Sequence, residues 1–311
     1  MDFALPEKMP PELQSRLRDE IARGQMVKAE TAQSIIDAMD IEIGHLMIML
    51  LPAAAAFARV PISGFQVGAV ALGMPRGSLP GNLYFGSNME FSGQALSFSV
   101  HGEQSATNHA WLKGETGLQA LAINAAPCGY CRQFLYEITT AMSIFRILLK
   151  AEPMVLNDYS YTMHPLTYYL PDPFGPKDLN IKDRLMEKQD HGMTISTSDD
   201  LAHAALTAAN ASYSPYTNDF SGVALKLKNG DIYVGRYAEN AAYNPSMSPL
   251  ESALANLNMS QPKPATDPAD YGIVAATLVE NAGIKISQRS ATEDVLSSVA
   301  KGVKLDYIQA I

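Results

Sequence analysis

Two stretches of this chain carry the same landmarks at nearly the same spacing, so whatever fold it adopts must be built twice. RVPIS before GFQVGAV is echoed by SYSPYT before NDFSGVAL, which pairs Pro61 with Pro215 and Gly68 with Gly222 at one offset. Further on, YFGSNMEF is echoed by YVGRYAENAAY, pairing Gly86 with Gly235 and Glu90 with Glu239. A chain of 311 residues has room for two ordinary domains, and duplication is the simplest account. At 47% hydrophobic and 18% charged it can bury such cores, which excludes a disordered, collagenous or coiled-coil chain.

Within the first copy an apolar helix is followed by strands at 65–72 and 82–86 and a polar helix at 104–113. A strand at 118–124, a helix opening at Pro127 and a strand at 144–150 complete it. This β-β-α-β-α-β order predicts a three-layer α/β/α domain. Residues 1–45 read as polar helices, with Leu13, Leu17 and Ile21, then Ile35, Ile36 and Met39, at helical spacing. The stretch 152–192 is rich in Pro, Asp and Tyr and reads as an ordered linker. The expected division is a helical domain 1–46, an α/β domain 47–151, the linker 152–192 and a second α/β domain 193–311.

Charge narrows the partners. The net charge of -9 comes with no Lys/Arg cluster, whereas phosphate neutralisation supplies most of a nucleic-acid binder's affinity. No nucleic-acid partner is expected. The most apolar run, 46–58, is too short to span a bilayer, contains Pro52, and reads as a buried helix. No membrane association is expected either. The first residues mix acids, prolines and bases without an apolar leader, which makes the cytoplasm the expected compartment.

The two cysteines, Cys128 and Cys131, exclude a disulfide-stapled fold. Alone, a C-x-x-C pair is either a redox dithiol or half of a metal site. Its surroundings decide. His101-Gly102-Glu103 precedes Pro127-Cys128-Gly129-Tyr130-Cys131, and His101 and Cys128 each stand where a helix begins, with one strand between the two helices. Such helix starts emerge at the same edge of a sheet, so one imidazole and two thiolates can meet as three zinc ligands with the fourth position open. An open position suits hydrolysis, because bound water becomes a nucleophile near neutral pH. Glu103, two residues past the ligand, is placed as a proton shuttle. His-x-Glu followed by Pro-Cys-x-x-Cys is the signature of zinc nucleobase deaminases.

RVPISGFQVGA, YFGSNMEF, VHGEQSATNHAWLKGE, APCGYCRQF, LPDPFGPKDL and GRYAENAAYNP together resemble the large, homodimeric cytidine deaminases of enteric bacteria and plants. The resemblance covers most of 48–250 and implies a duplicated cytidine-deaminase-like fold with a small helical N-terminal domain. It implies hydrolytic deamination of cytidine and deoxycytidine in pyrimidine salvage, one zinc per chain, and a homodimer with active sites shared across the interface. His101, Cys128 and Cys131 match the zinc ligands and Glu103 the proton shuttle. Asn88-Met89-Glu90 matches the segment that grips the ribose, Asn88 and Glu90 bonding its 3′-hydroxyl. Phe65 matches the aromatic beside the pyrimidine. Phe174 and Ala242 match groups delivered into the partner subunit's pocket. By residue type alone, Phe65 would read as strand core and Phe174 as a pin for the linker. Asn88 and Glu90, two apart, would share one strand face.

The second copy departs from the pattern. Ser248 stands where the ligand histidine should, Leu250 where the glutamate should, Tyr237 where Asn88 stands, and there is no cysteine. It is expected to hold no zinc and to serve structure or the partner's site. His45, His109, His164, His191 and His203 have no ligand partner at recognisable spacing and read as packing or surface residues. Arg132 reads as an exposed helical residue, and the loop 73–81 has no readable role. Two other functions share parts of the signature, a polynucleotide base deaminase and a non-catalytic zinc-stabilised binding protein. A grip on a free 3′-hydroxyl and the acidic charge oppose the first. Glu103 beside an open ligand position opposes the second.

Overall fold

The computed structural model describes residues 5–6, 8–151, 159–261 and 271–311. Parts of the expected linker (152–158) and of the second copy (262–270) lie outside these. Helix α1 (Pro11–Gly24) begins on Pro11, whose fixed φ suits a first turn, and ends where Gln25 turns left-handed at φ 50. Strand β1 (Met26–Val27) and helices α2 (Ala29–Met39) and α3 (Ile43–Ala55) follow. The first copy continues as β2 (Gly68–Gly73), β3 (Leu83–Ser87), α4 (Gly102–Leu112), β4 (Leu118–Ile123), α5 (Gly129–Leu135), β5 (Arg146–Lys150) and β6 (Tyr161–Pro165). A one-turn helix, α6 (Leu166–Tyr169), leads towards the second copy. That copy comprises α7 (Asp200–Asn210), β7 (Ser221–Leu227), β8 (Ile232–Arg236), α8 (Pro249–Asn258), β9 (Ile273–Asn281), α9 (Arg289–Val299) and β10 (Leu305–Ala310).

The sheets run β1-β3-β2-β4-β5-β6 and β8-β7-β9-β10. In the first, β2 is antiparallel to β3 and β4, and β4 is parallel to β5. In the second, β7, β8, β9 and β10 repeat that pattern. Even the irregularity recurs, a register shift between Leu72 and Gly73 and another between Lys226 and Leu227. The duplication therefore extends to the hydrogen-bond ladder.

The paired glycines show why the repeat keeps them. A Cβ on Gly68 would overlap the backbone of Leu51 and Ala55 in α3, and one on Gly222 would overlap Ala205 and Ala209 in α7. Gly86 is pressed likewise by Ala106 of α4, and Gly235 by Ala253 of α8. Each glycine lets a helix lie directly on its strand.

Helices α3 and α4 cover opposite faces of the first sheet, and α7 and α8 those of the second. Because α4 and α8 also pack on each other, the inner faces of both sheets close over one shared core, to which Ala106, Ala110, Trp111, Leu250, Ala253 and Leu254 belong. A second core joins α1, α2 and α3 to the outer face of the first sheet.

Several elements differ from the sequence reading. Helix α3 runs continuously through residues 46 and 47, where that reading puts a domain boundary. Within the stretch read as linker, β6 pairs with β5 and extends the first sheet. Strand β1, too short to show a period, adds an edge beside β3. The polar helix α4 is buried from Gly102 to Trp111. Its Asn108 is matched across the junction, since Asn108 Nδ2 donates to the Ser252 carbonyl at 3.0 Å and Ser252 Oγ to Asn108 Oδ1 at 2.7 Å. The Arg236 guanidinium lies 3.8 Å over the Trp111 ring and donates to the Trp111 carbonyl at 2.6 Å. Among the described residues no helix is long and apolar enough to cross a membrane.

Gly235→Ala is expected to destabilise the protein by about 1–3 kcal/mol, because α8 must lift off β8. Gly24→Ala, in open space at the end of α1, should leave the midpoint unchanged or slightly raised. Denaturant midpoints compare the two, and equal midpoints would show that α8 yields without cost.

Candidate active site

The cavity of interest, about 540 Å³, opens where β3 and β4 end, β2 begins, and α4 and α5 start. Its wall includes Ile62, Phe65, Asn88, Glu90, Glu103 and Cys128. His101 is the residue before α4, and Gln104 in the first turn accepts its backbone N–H at 3.1 Å. Cys128 holds the same place before α5, with Cys131 in the first turn.

The donor atoms of His101, Cys128 and Cys131 all lie within 4.8 Å of one another, and Cys128 Sγ stands 3.5 Å from His101 Nδ1. Tetrahedral zinc with about 2.0–2.3 Å bonds needs donors roughly 3.5 Å apart, so the triad fits that ion. Hydrogen bonds with Cys131 and His101 hold the Cys128 thiol down to about 3, so it is an anion at neutral pH. Its bond to Cys128 raises the His101 pKa against burial. Burial pushes the Cys131 thiol up, so its ionisation awaits a cation between the sulfurs. Glu103 is buried beside the triad, and burial raises its carboxyl above the ordinary range, as a group that takes and returns a proton requires.

The remaining candidates divide. Asn88 and Glu90 face the cavity from beyond the end of β3 rather than from within the strand. Asn88 Oδ1 accepts from Val67 N at 2.9 Å and its Nδ2 donates to the Phe65 carbonyl at 2.9 Å. Phe65 is 61% exposed at the mouth, so it is not strand core. Met89 points the other way. Its side chain is fully buried in the core, and its backbone bridges to Val100 and Arg59. Phe174 and Ala242 lie outside the cavity, on the far side of α5, where the Phe174 carbonyl accepts from Gln133 Nε2 at 2.7 Å.

Sequence reasoning missed Ser63. Glu90 accepts Ile62 N–H at 2.9 Å, Ser63 N–H at 3.0 Å and Ser63 Oγ–H at 2.5 Å. Glu239 repeats this clamp on Tyr216 N, Thr217 N and Thr217 Oγ1. The signal was present, because Ser63 and Thr217 stand at the offset that pairs Pro61 with Pro215. Glu90 therefore has a structural duty besides any ligand. Arg132 is not a free surface residue, since Nε donates to the Pro127 carbonyl at 2.7 Å and Nη1 to the Tyr169 carbonyl at 2.9 Å. His109 is a packing residue, with burial lowering it to about 4 and Nδ1 sitting 2.9 Å from the Phe85 carbonyl. The loop 73–81 lies at the opposite end of β2 and is fastened to Glu115 through Met74 N and Arg76, each at 3.0 Å.

In the second copy the donor positions serve the protein itself. Ser248 caps α8 in a reciprocal box with Glu251, and Leu250 is buried in the shared core. Gln288, preceding α9 as Cys128 precedes α5, donates to Asp219 Oδ2 at 2.6 Å. Asp219 stands at the Phe65 position by the same offset.

A donor triad of this kind beside a buried acid defines a hydrolytic zinc centre. Comparison with known proteins agrees. The model for the "Cytidine and deoxycytidylate deaminase zinc-binding region" matches residues 43–146, and a second model of that description matches 166–293. The cytidine deaminase of Photobacterium profundum is 46% identical over 86% of this chain and 83% of its own. That of Serratia proteamaculans is 46% identical over 81% and 82%, and that of Vibrio cholerae 44% over 90% and 88%. The chain belongs to the cytidine and deoxycytidylate deaminase family, and zinc is its cofactor.

Three outcomes are expected. Metal analysis should return one zinc per chain, because Ser248 and Leu250 leave the second copy without a donor set; two equivalents would contradict this. Glu103→Gln should retain zinc and fold yet lose about 10²-fold or more in turnover, since the amide cannot carry the proton. The third concerns pH. Burial, reinforced by the nearby Glu280 carboxylate, raises Asp219 from an ordinary 3.8 to about 8. The folded state then binds a proton that the unfolded state has released, so this group's stability is full below about 4 and is lost as pH climbs to about 8. Asp219→Asn should flatten that decline in denaturation midpoints between these pH values; an unchanged slope would remove Asp219 as its source.

Proposed function

We propose that the protein hydrolytically deaminates cytidine and deoxycytidine to uridine and deoxyuridine, releasing ammonia. The observation that carries this reading is the zinc donor triad with buried Glu103 on the wall of one nucleoside-sized cavity. When bound, zinc supplies the Lewis acidity that lets water act as a nucleophile near neutral pH. Glu103 takes a proton from the attacking water and delivers it to N3 of the pyrimidine as C4 gains oxygen. It then passes the second proton to the departing amino group, and the C4–N bond breaks. A carboxyl held above its ordinary range suits both directions of transfer.

Asn88 and Glu90 receive the ribose 3′-hydroxyl in this reading, Met89 contributes through its backbone, and Phe65 lies beside the base. Three donors already reach Glu90, which leaves it about one acceptor position for a hydroxyl and little tolerance for a phosphate. The acidic chain disfavours a polynucleotide substrate for the same reason. The enzyme serves pyrimidine salvage in the cytoplasm.

Two chains share their sites in a homodimer. Ile62, Phe65 and Leu96 are 52%, 61% and 71% exposed around the mouth of the cavity, leaving an apolar rim uncovered. Phe174 and Tyr243 expose a second apolar patch that does not line that cavity. A twofold axis that set each patch on the other chain's rim would cover both. The helical domain, catalytic domain, linker and second copy then form one functional subunit in each half of the dimer.

Mixing Glu103→Ala chains with Phe174→Asp chains under subunit exchange tests the sharing. Each mixed dimer has one pocket with both defects and one with neither, so about a quarter of normal activity should reappear from two inactive proteins. Demonstrated exchange without recovered activity would overturn the shared site.

A further inference from the structure

Helix α5 does two things at once. Its start carries Cys128 and Cys131, and its next turn holds the two segments that the cavity of this chain does not contain. Gln133 Nε2 donates to the Phe174 carbonyl at 2.7 Å and reaches Asn240 Oδ1 at 3.4 Å. Asn240 Nδ2 returns a bond to the Gln133 carbonyl at 3.0 Å, and Asn240 Oδ1 accepts from Ala242 N at 2.9 Å. One residue away, Ala241 N donates to Glu137 Oε1 at 2.8 Å. Tyr213 and Tyr216 fix the other oxygen of Glu137 from 2.7 and 2.8 Å. The loop carrying Ala242 and the strap carrying Phe174 are thus tied to the same side chain of the first copy.

Nothing about local folding requires this arrangement. The Phe174 side chain is 47% exposed and Tyr243 63%, while Pro176, Ala241 and Met247 beside them are buried, so burial anchors the ends of loop and strap and the polar bonds of Gln133 and Asn240 fix the exposed tips. A segment fixed in place while presenting an aromatic to solvent is preorganised for something that arrives from outside. We infer that Gln133, with Asn240, is the positioning pair that presents Phe174 and Ala242 to the neighbouring subunit's pocket, so that the helix carrying one site's zinc sulfurs also sets substrate binding at the other site. This rests on the shared-site reading proposed above.

The role is positional, because Gln133 touches neither the cavity nor the reacting atoms. Losing its donor leaves the Phe174 carbonyl without that partner and frees the strap. The cost should fall on substrate binding in the partner's pocket and not on chemistry there.

Dimers with a single working pocket provide the test. Two differently tagged chains are co-expressed, one intact at Glu103 and the other carrying Glu103→Ala, and dimers bearing both tags are isolated. Gln133→Leu placed in the Glu103→Ala chain should raise KM for cytidine about three- to tenfold, the range expected for one lost hydrogen bond, with kcat and zinc content little changed. Placed in the intact chain, it should shift KM by less than about twofold, since the loosened strap then serves the dead pocket. Gln133→Glu, which keeps the shape but cannot donate, should act in the same direction and covers the case in which Gln133→Leu fails to fold. An equal rise in both placements, or a rise only in the intact chain, overturns the inference. Phe174→Ala in the Glu103→Ala chain separates the premises. If it raises KM while neither Gln133 variant does, the positioning role falls and shared sites stand. If it has no effect, shared sites fail and the positioning role falls with them.

Discussion

The crossing of α4 and α8 is the contact on which the rest of the molecule depends. Asn108 and Ser252 exchange two hydrogen bonds there, inside a core closed by the sheets of both copies. A buried polar pair of this kind is stabilising only when every group is matched, so it fixes the register of one helix on the other. His101 is the residue that opens α4. The position of the zinc ligand therefore follows from how the two copies are pressed together, and a copy without donors still builds the site.

That dependence explains what the second copy has become. Where the first copy places a ligand, the second places Ser248, which caps its own helix, and Leu250, which fills the shared core. Gln288 bonds Asp219 where Cys128 would face a metal. Each replacement turns an open, reactive position into a satisfied or apolar one. Glu239 persists because its clamp on Tyr216 and Thr217 shapes the turn that precedes β7, and Glu90 performs that same task before β2. The carboxylate thus has a reason to remain in a copy that lacks the zinc donors.

Much of this was legible in the chain. The landmarks that pair Gly68 with Gly222 and Gly86 with Gly235 announce two copies, and the structure shows that each glycine marks a helix lying on a strand. Patterning places β4 and α5 to within a residue or two, because period and flanking turns are local properties. Strands β1 and β6 were not legible. A two-residue strand has no period, and β6 joins the sheet only because β5 offers it an edge. Met89 is a third case, since adjacency to Asn88 and Glu90 says nothing about which way its side chain turns once Val100 and Arg59 bridge it.

The sequence by itself determined the chemistry: one imidazole, two thiols and an acid at spacings that bring two helix starts to one sheet edge. It also determined that the second copy lacks those donors. Residue identity and short-range spacing are enough for both, because donor type is covalent and helix starts are locally encoded. Only the tertiary structure decided that polar α4 is buried, that Glu90 is already clamped, and that Phe174 and Ala242 stand apart from their own chain's cavity. Even the Glu90 clamp reaches across 27 positions to Ser63. The burial of α4 and the placing of the Ala242 loop depend on contacts between residues a hundred or more positions apart, Asn108 with Ser252 and Gln133 with Asn240. No local pattern specifies such a contact; it exists only when the two copies bury one core between them.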